Sequence, residues 1–198
     1  MQSKREIRAQ MRAARRSLDH VERWALASRL ARVATYAVLL RRARRFACYL
    51  PNDGEMDLTP LMQRLWAYGR ESFLPVIRGP RLWFFPFERG TPLGEGRYGI
   101  PEPAVSPARR CRISALNVVL MPLVAFDDTG NRLGMGGGYY DQTFSFKRRP
   151  RTGREPLLIG VAYEFQRVER LPRRLWDVPL DGIVTECGFR RFTRGGAR

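Results

Sequence analysis

Arg132, glycines at 134, 136, 137 and 138, then Tyr139, Tyr140 and Asp141 put a cation, a run of unencumbered backbone N–H groups and a carboxylate on one short stretch of chain. A phosphoryl group calls for this set: N–H donors to cradle its oxygens, a cation to offset its charge, and a hard oxygen ligand for the metal it travels with. Upstream, the apolar run Val118 to Phe126 reads as one buried strand ending in the turn Asp127-Asp128-Thr129-Gly130, and downstream Gln142 to Phe146 reads as the continuation of a helix. Strand, glycine loop and helix start is the order that builds an anion site.

Two fixed motifs do not fit the stretch. A Walker loop requires a lysine, and none stands between Lys4 and Lys147. A dinucleotide fingerprint requires glycine at 139, where Tyr139 stands. The remaining alternative to a phosphate cradle is a glycine-rich surface hairpin without a ligand, which the neighbouring arginine and carboxylate argue against.

Two further groups can join this chemistry. Lys4 and Arg8 are four apart, so a helix projects both on one side as a cationic pair. Glu55 and Asp57 follow the apolar segment Phe46 to Leu50 and Pro51, just past the carboxyl end of a strand, where open α/β sheets place ligand contacts.

The elements that must position these groups are legible from caps and periodicity. Ser3 with Glu6, and Asp19 with Glu22, are capping boxes that predict one helix to about Ser17 and a second carrying Trp24, Leu26, Leu30 and Val33. Thr59 as N-cap with Pro60 after it predicts a third helix, stopped at Gly69. Strands are predicted over Ser72 to Ile77, Arg81 to Phe87 (near an edge, because of Pro86), Leu157 to Ala162 and Asp181 to Thr185. Glu88 to Pro107 reads as an irregular excursion able to cover a site, and Lys147 to Arg154 as an arginine-rich linker. Strands alternating with helices predict an α/β fold, a three-layer sandwich with a mostly parallel central sheet flanked by helices. One domain is expected over 1–190, with a disordered tail from 191 to 198.

Composition excludes several classes. Three cysteines without CxxC spacing and a single histidine, His20, argue against a disulfide framework, a zinc site and histidine catalysis. No apolar run is long enough for a membrane span or an export signal, so a cytoplasmic protein is expected. The net charge of +17 invites a nucleic-acid partner through Arg41 to Arg45 and Arg148 to Arg151. Nearly every basic residue is arginine, however, which points to a general preference for arginine, and a basic surface equally steers small polyanions to a cleft. Nucleic acid is therefore not the expected partner. From the residues alone, an ATP-using or phosphate-binding α/β enzyme and a nucleic-acid-binding module both remain open.

Five stretches in order, KREIR at Lys4 to Arg8, YLPNDGEMD at Tyr49 to Asp57, the pair Glu102-Pro103, MPLVAFDDTGNRLGMGGGYYD at Met121 to Asp141 and WDVPLDGIVTE at Trp176 to Glu186, resemble the 5-formyltetrahydrofolate cyclo-ligase family. The resemblance implies an ATP- and Mg2+-dependent closure of 5-formyltetrahydrofolate to 5,10-methenyltetrahydrofolate, with release of ADP and phosphate. By matching position it implies ATP contacts at Lys4, Arg5, Glu6, Ile7 and Arg8, and at Arg132, Leu133, Gly134, Met135, Gly136, Gly137, Gly138, Tyr139 and Tyr140. Lys4 and Arg132 would act on the transferred group. Folate contacts fall at Arg8, Leu50, Glu55 and Met135 to Tyr139, and magnesium positions at Asp141 and Asp181. Some family members carry an arginine at the position of Met135 and a lysine at that of Gly137. Here the loop is uncharged, so Arg132 and Lys4 must supply more of the neutralisation.

Overall fold

Two capped helices open the chain in the computed structural model, which describes residues 2–37, 42–149 and 155–192. In α1 (Lys4–Ser17), Ser3 Oγ accepts the Glu6 N–H while Glu6 Oε2 accepts the Ser3 N–H at 2.7 Å. Asp19 and Glu22 repeat the box at α2 (His20–Tyr36). A third helix, α3 (Thr59–Ala67), starts one residue earlier than expected. Thr59 is already helical, Leu58 is the N-cap, and the orphan Thr59 N–H donates to Asp57 Oδ1 at 2.8 Å.

The central sheet contains β1 (Arg45–Ala47), β2 (Glu71–Arg78), β3 (Arg81–Phe87), β6 (Val118–Pro122), β9 (Leu157–Val161), β10 (Gly182–Val184) and β11 (Phe189–Arg191). Its order is β11-β10-β9-β6-β1-β2-β3, with the five inner strands parallel and both edge strands antiparallel to their neighbours. Short ribbons lie outside it: β4 (Leu93–Gly94) with β5 (Glu102–Pro103), and β7 (Ala125–Phe126) with β8 (Arg132–Leu133). The excursion after Glu88 thus carries a ribbon of its own.

Alternation along β6 divides the core. Val118 and Leu120 pack with Leu30, Ala31 and Ala34 of α2 and Leu61 and Leu65 of α3, while Val119 and Met121 face Phe84, Phe144 and Ile183. Both faces are buried, as a parallel sheet requires. The second face is covered by a thinner layer that includes α4 (Tyr139–Thr143) and the turn of 3-10 helix at Ser145–Arg148. A smaller cluster seats α1 on the β7–β8 ribbon through Ile7, Met11, Val124, Ala125 and Leu133. Among the described residues, no helix is long and apolar enough to cross a membrane.

Several expectations are corrected. The run Val118–Phe126 is two strands, not one. Gln166 Nε2 takes the carbonyls of Leu123 and Val124 at 2.9 and 2.8 Å and Arg15 takes that of Leu123 at 3.3 Å, so the ladder breaks where the chain leaves the main sheet. Lys147, placed in a linker by sequence, is buried and donates to Pro156 O at 2.7 Å and to Asp181 Oδ2 at 2.8 Å; residues 150–154 lie outside the described chain. The chain beyond Arg190 is not all tail: Arg191 completes β11 and Phe192 packs against the core, while 193–198 lie outside the described residues.

The β7–β8 turn hangs on one carboxylate. Asp127 is wholly buried and accepts from Thr129 N–H and Oγ1, from Asn131 N–H and Nδ2, and from the Leu171 N–H. These hydrogen bonds hold its pKa low although burial pushes the other way. Asp127→Ala leaves the buried Leu171 N–H and the part-buried donors of Thr129 and Asn131 without their acceptor, so we expect a loss of about 2–4 kcal/mol in urea denaturation. A loss under about 0.5 kcal/mol would show that the turn is held otherwise.

Candidate functional site

Strand order reverses at β1, which has β2 on one side and β6 on the other, and open sheets of this kind bind ligands beyond the carboxyl ends at such a switch point. A cavity of about 1040 Å3 lies there, between α1, the turn after β1, the β4–β5 excursion and the glycine loop.

One wall is cationic. Lys4 and Arg8 reach it from α1, and Arg132 from β8. Arg8 Nε donates to Gly134 O at 2.9 Å, which pins the first residue of the glycine loop to the helix. The Arg132 side chain is only 6% exposed and donates to Asp141 Oδ1 at 2.9 Å. Burial pulls its pKa down, and the nearby carboxylates of Asp141 and Asp177 oppose that pull. Lys4 Nζ lies 3.5 Å from Asp177 Oδ2. Asp141 Oδ1 also accepts the Val178 N–H at 2.9 Å, and its Oδ2 has no hydrogen-bond partner among the described residues.

Between these anchors Met135 supplies the loop's one side chain, and the rest is glycine backbone. Gly136 and Gly138 have φ of +115° and +68°, where a side chain is strained. A Cβ on Gly137 would stand 2.8 Å from Tyr139 Cε2. The helix that follows, α4, has only five residues, so its dipole is slight; cations lining the cavity, Lys4, Arg8 and Arg132 among them, favour an anion there.

The turn after β1 adds to the lining a carboxyl group whose pKa is shifted the other way. Glu55 sits in the turn after β1, where Oε2 accepts the Asn52 N–H at 3.2 Å and Oε1 lies 4.0 Å from Arg15. Burial pushes its pKa up to about 7, against the smaller opposing effects of that hydrogen bond and of Arg15. The turn is fixed from below by Arg15, which has no exposed surface and donates to Asp53 Oδ2 at 3.0 Å and to Leu123 O at 3.3 Å. Arg12 and Arg16 bind the same Asp53. Burial raises the Asp53 pKa, but these arginines outweigh it and bring it down to about 2. Gly54 follows at φ +73°, and a Cβ there would meet Arg15 O at 3.0 Å. Tyr49 Oη closes the turn on Met56 O at 2.9 Å.

The structure therefore gathers Lys4, Arg8, Leu50, Glu55, Arg132 to Tyr140 and Asp141 around one cavity. Arg5 is exposed and outside it, Glu6 serves the cap of α1, and Ile7 is core. Asp181 is also apart from it, accepting from Lys147 and from the Leu158 N–H at 2.8 Å. The carboxylate beside Asp141 and Arg132 is Asp177, which sequence reading passed over. WDVPLDG carries both aspartates four positions apart, and neither composition nor spacing says which one faces the ligand. Tyr98 and Arg15 were missed as well. No group of three or more metal-ligating side chains occurs among the described residues.

Comparison with known proteins bears on the whole of this arrangement. The profile of the 5-formyltetrahydrofolate cyclo-ligase family matches residues 1–186. A 5-formyltetrahydrofolate cyclo-ligase of Haemophilus influenzae is 33% identical over 186 residues, covering 92% of this chain and 97% of its own. One from Escherichia coli K12 is 38% identical over 157 residues, covering 78% of this chain and 84% of its own. The solution structure of a 5,10-methenyltetrahydrofolate synthetase from Aquifex aeolicus superimposes with a TM-score of 0.81 at 34% identity, covering 98% of this chain and 95% of that one. With the cation wall, the glycine loop and Glu55 all inside the matched segment, the chain belongs to the 5-formyltetrahydrofolate cyclo-ligase family.

Proposed function

We propose that this enzyme closes 5-formyltetrahydrofolate to 5,10-methenyltetrahydrofolate at the expense of ATP. The observation that carries the reading is a single cavity lined both by a buried carboxyl, Glu55, and by the cations Lys4, Arg8 and Arg132. A pterin presents adjacent N–H donors that one ionised carboxylate can accept together, and a triphosphate needs the cations. In the proposed reaction the formyl oxygen attacks the γ-phosphorus and ADP leaves. N10 then attacks the formyl carbon, its proton is lost, and the C–O bond breaks to release phosphate. Such chemistry asks the protein mainly for alignment and charge neutralisation. Lys4 and Arg132 neutralise the transferred group, Arg8 holds the loop at Gly134, and Met135 to Tyr140 line the path between the substrates.

Mg2+ fits the same wall. Asp141 has an oxygen without a hydrogen-bond partner among the described residues, and Asp177 flanks Arg132 with it. Two carboxylates with substrate phosphates are the usual holders of this ion, which offsets phosphate charge when bound. Asp181, tied to Lys147, is not in that set.

The reading is tested by near-ultraviolet absorbance of the methenyl product from purified protein, 5-formyltetrahydrofolate, ATP and Mg2+. Product that needs all three is expected, and none from folded protein sinks the proposal. Arg132→Ala should slow turnover by about 10- to 100-fold with a raised KM for ATP. Glu55 ionises as pH rises through about 7, so the folate KM should fall across that range. In Glu55→Gln the folate KM should be high and flat with pH; an unchanged pH profile would remove Glu55 from folate binding. Asp141→Asn and Asp177→Asn should each shift the Mg2+ titration to higher concentration, whereas Asp181→Asn should leave it in place. The reverse pattern would return the metal to Asp181.

A further inference from the structure

Met135, Gly136 and Gly137 make no hydrogen bond to the rest of the described chain, so the glycine loop depends on its two ends. The first end is Gly134, held by Arg8. The second is Tyr139, whose carbonyl accepts Thr143 Oγ1 at 2.6 Å, while Thr143 Oγ1 accepts the Leu82 N–H of β3 at 2.9 Å. That secures the Tyr139 backbone but not its ring. The ring lies against Gly137, closely enough that no Cβ fits there, so the direction of the ring and the course of the loop are coupled.

What fixes the ring is a residue of the β4–β5 excursion. Tyr98 Oη and Tyr139 Oη are 2.8 Å apart, with the rings edge-on at 6.3 Å between centroids. Tyr98 is aimed there by an unusual backbone: its φ is +60° and that of Gly99 is +70°, two successive left-handed residues. The excursion itself is moored to β2, where Glu102 Oε1 accepts the Ile77 N–H at 3.3 Å and Oε2 lies 3.5 Å from Arg78. A side chain on Gly96 would strike Ile100 O and Glu102, so the mooring and the turn are packed as one piece. A strained, 69% exposed tyrosine with its hydroxyl on a partner across the cavity wall is not explained by core packing.

We propose that Tyr98 is a positioning residue for the ATP-binding loop: through the Tyr98–Tyr139 hydroxyl pair, the β4–β5 excursion sets the course of Gly136 to Gly138. The inference rests on the reading of this loop as the triphosphate site. It makes the excursion a brace for the triphosphate site.

The test compares wild type with Tyr98→Phe, Tyr139→Phe and the double variant. Steady-state KM values for ATP and 5-formyltetrahydrofolate are measured, together with calorimetric affinity for a non-hydrolysable ATP analogue with Mg2+. Each single change should weaken analogue binding and raise the ATP KM by about 3- to 10-fold, with the folate KM within about twofold of wild type. The double variant should be no worse than the weaker single one, because both changes delete one hydrogen bond. Unchanged analogue affinity in Tyr98→Phe overturns the proposal, as do additive losses. A rise in folate KM alone would make Tyr98 a direct folate contact and overturn it too. Phenylalanine keeps both rings, and thermal melting checks that each variant is folded. Wild-type protein that binds the analogue yet forms no product would defeat the proposed reaction while leaving the tether measurable.

Discussion

A guanidinium with no exposed surface holds the ligand site together. Arg15 joins the carboxyl-terminal half of α1, the turn after β1 and the end of β6 through Asp53 and Leu123 O. An unpaired charge so placed would be costly, so the turn must bring Asp53 to it, and Asp53 in turn collects Arg12 and Arg16. The backbone complies through two left-handed residues, Asp53 and Gly54. Both walls of the cavity follow from this one contact, since α1 carries Lys4 and Arg8 and the turn carries Glu55.

The same contact tunes the two carboxyl groups in opposite directions. Asp53 sits among three arginines and is ionised throughout the physiological range, whereas Glu55, two residues on, feels burial more than it feels Arg15. Because Asp53 already occupies Arg15, burial prevails at Glu55 and holds its pKa up at about 7. Elsewhere in the lining the carboxylates do the converse: Asp141 and Asp177 keep Arg132 and Lys4 in place.

Much of this was legible in the chain. Capping boxes located α1 and α2, and the glycine stretch, Glu55 and the Lys4–Arg8 pair each carry their chemistry within a few consecutive residues. The rest depends on contacts between distant segments. Asp177 and Asp181 look alike on either side of Val-Pro-Leu; what separates them is that Asp181 stands at the start of β10 opposite Leu158 and Lys147, and Asp177 stands before the chain enters the sheet. Arg15 was hidden among many arginines, and only the approach of the β1 turn distinguishes it. The break at Leu123 was invisible because the side chains that take its carbonyl come from Arg15 and Gln166. β11 was missed because its short run borders a glycine-rich end and is defined only by pairing with β10.

The scarcity of lysine has a practical side. The sequence has only Lys4 and Lys147, and the second is buried with its amine on Pro156 O and Asp181. Of the two, Lys4 is therefore the ε-amine open to solvent, and it stands on the cavity wall. Among the described lysines an amine-selective acylating reagent would find one open side chain, so a label or a spectroscopic reporter placed there would report directly on the cavity wall.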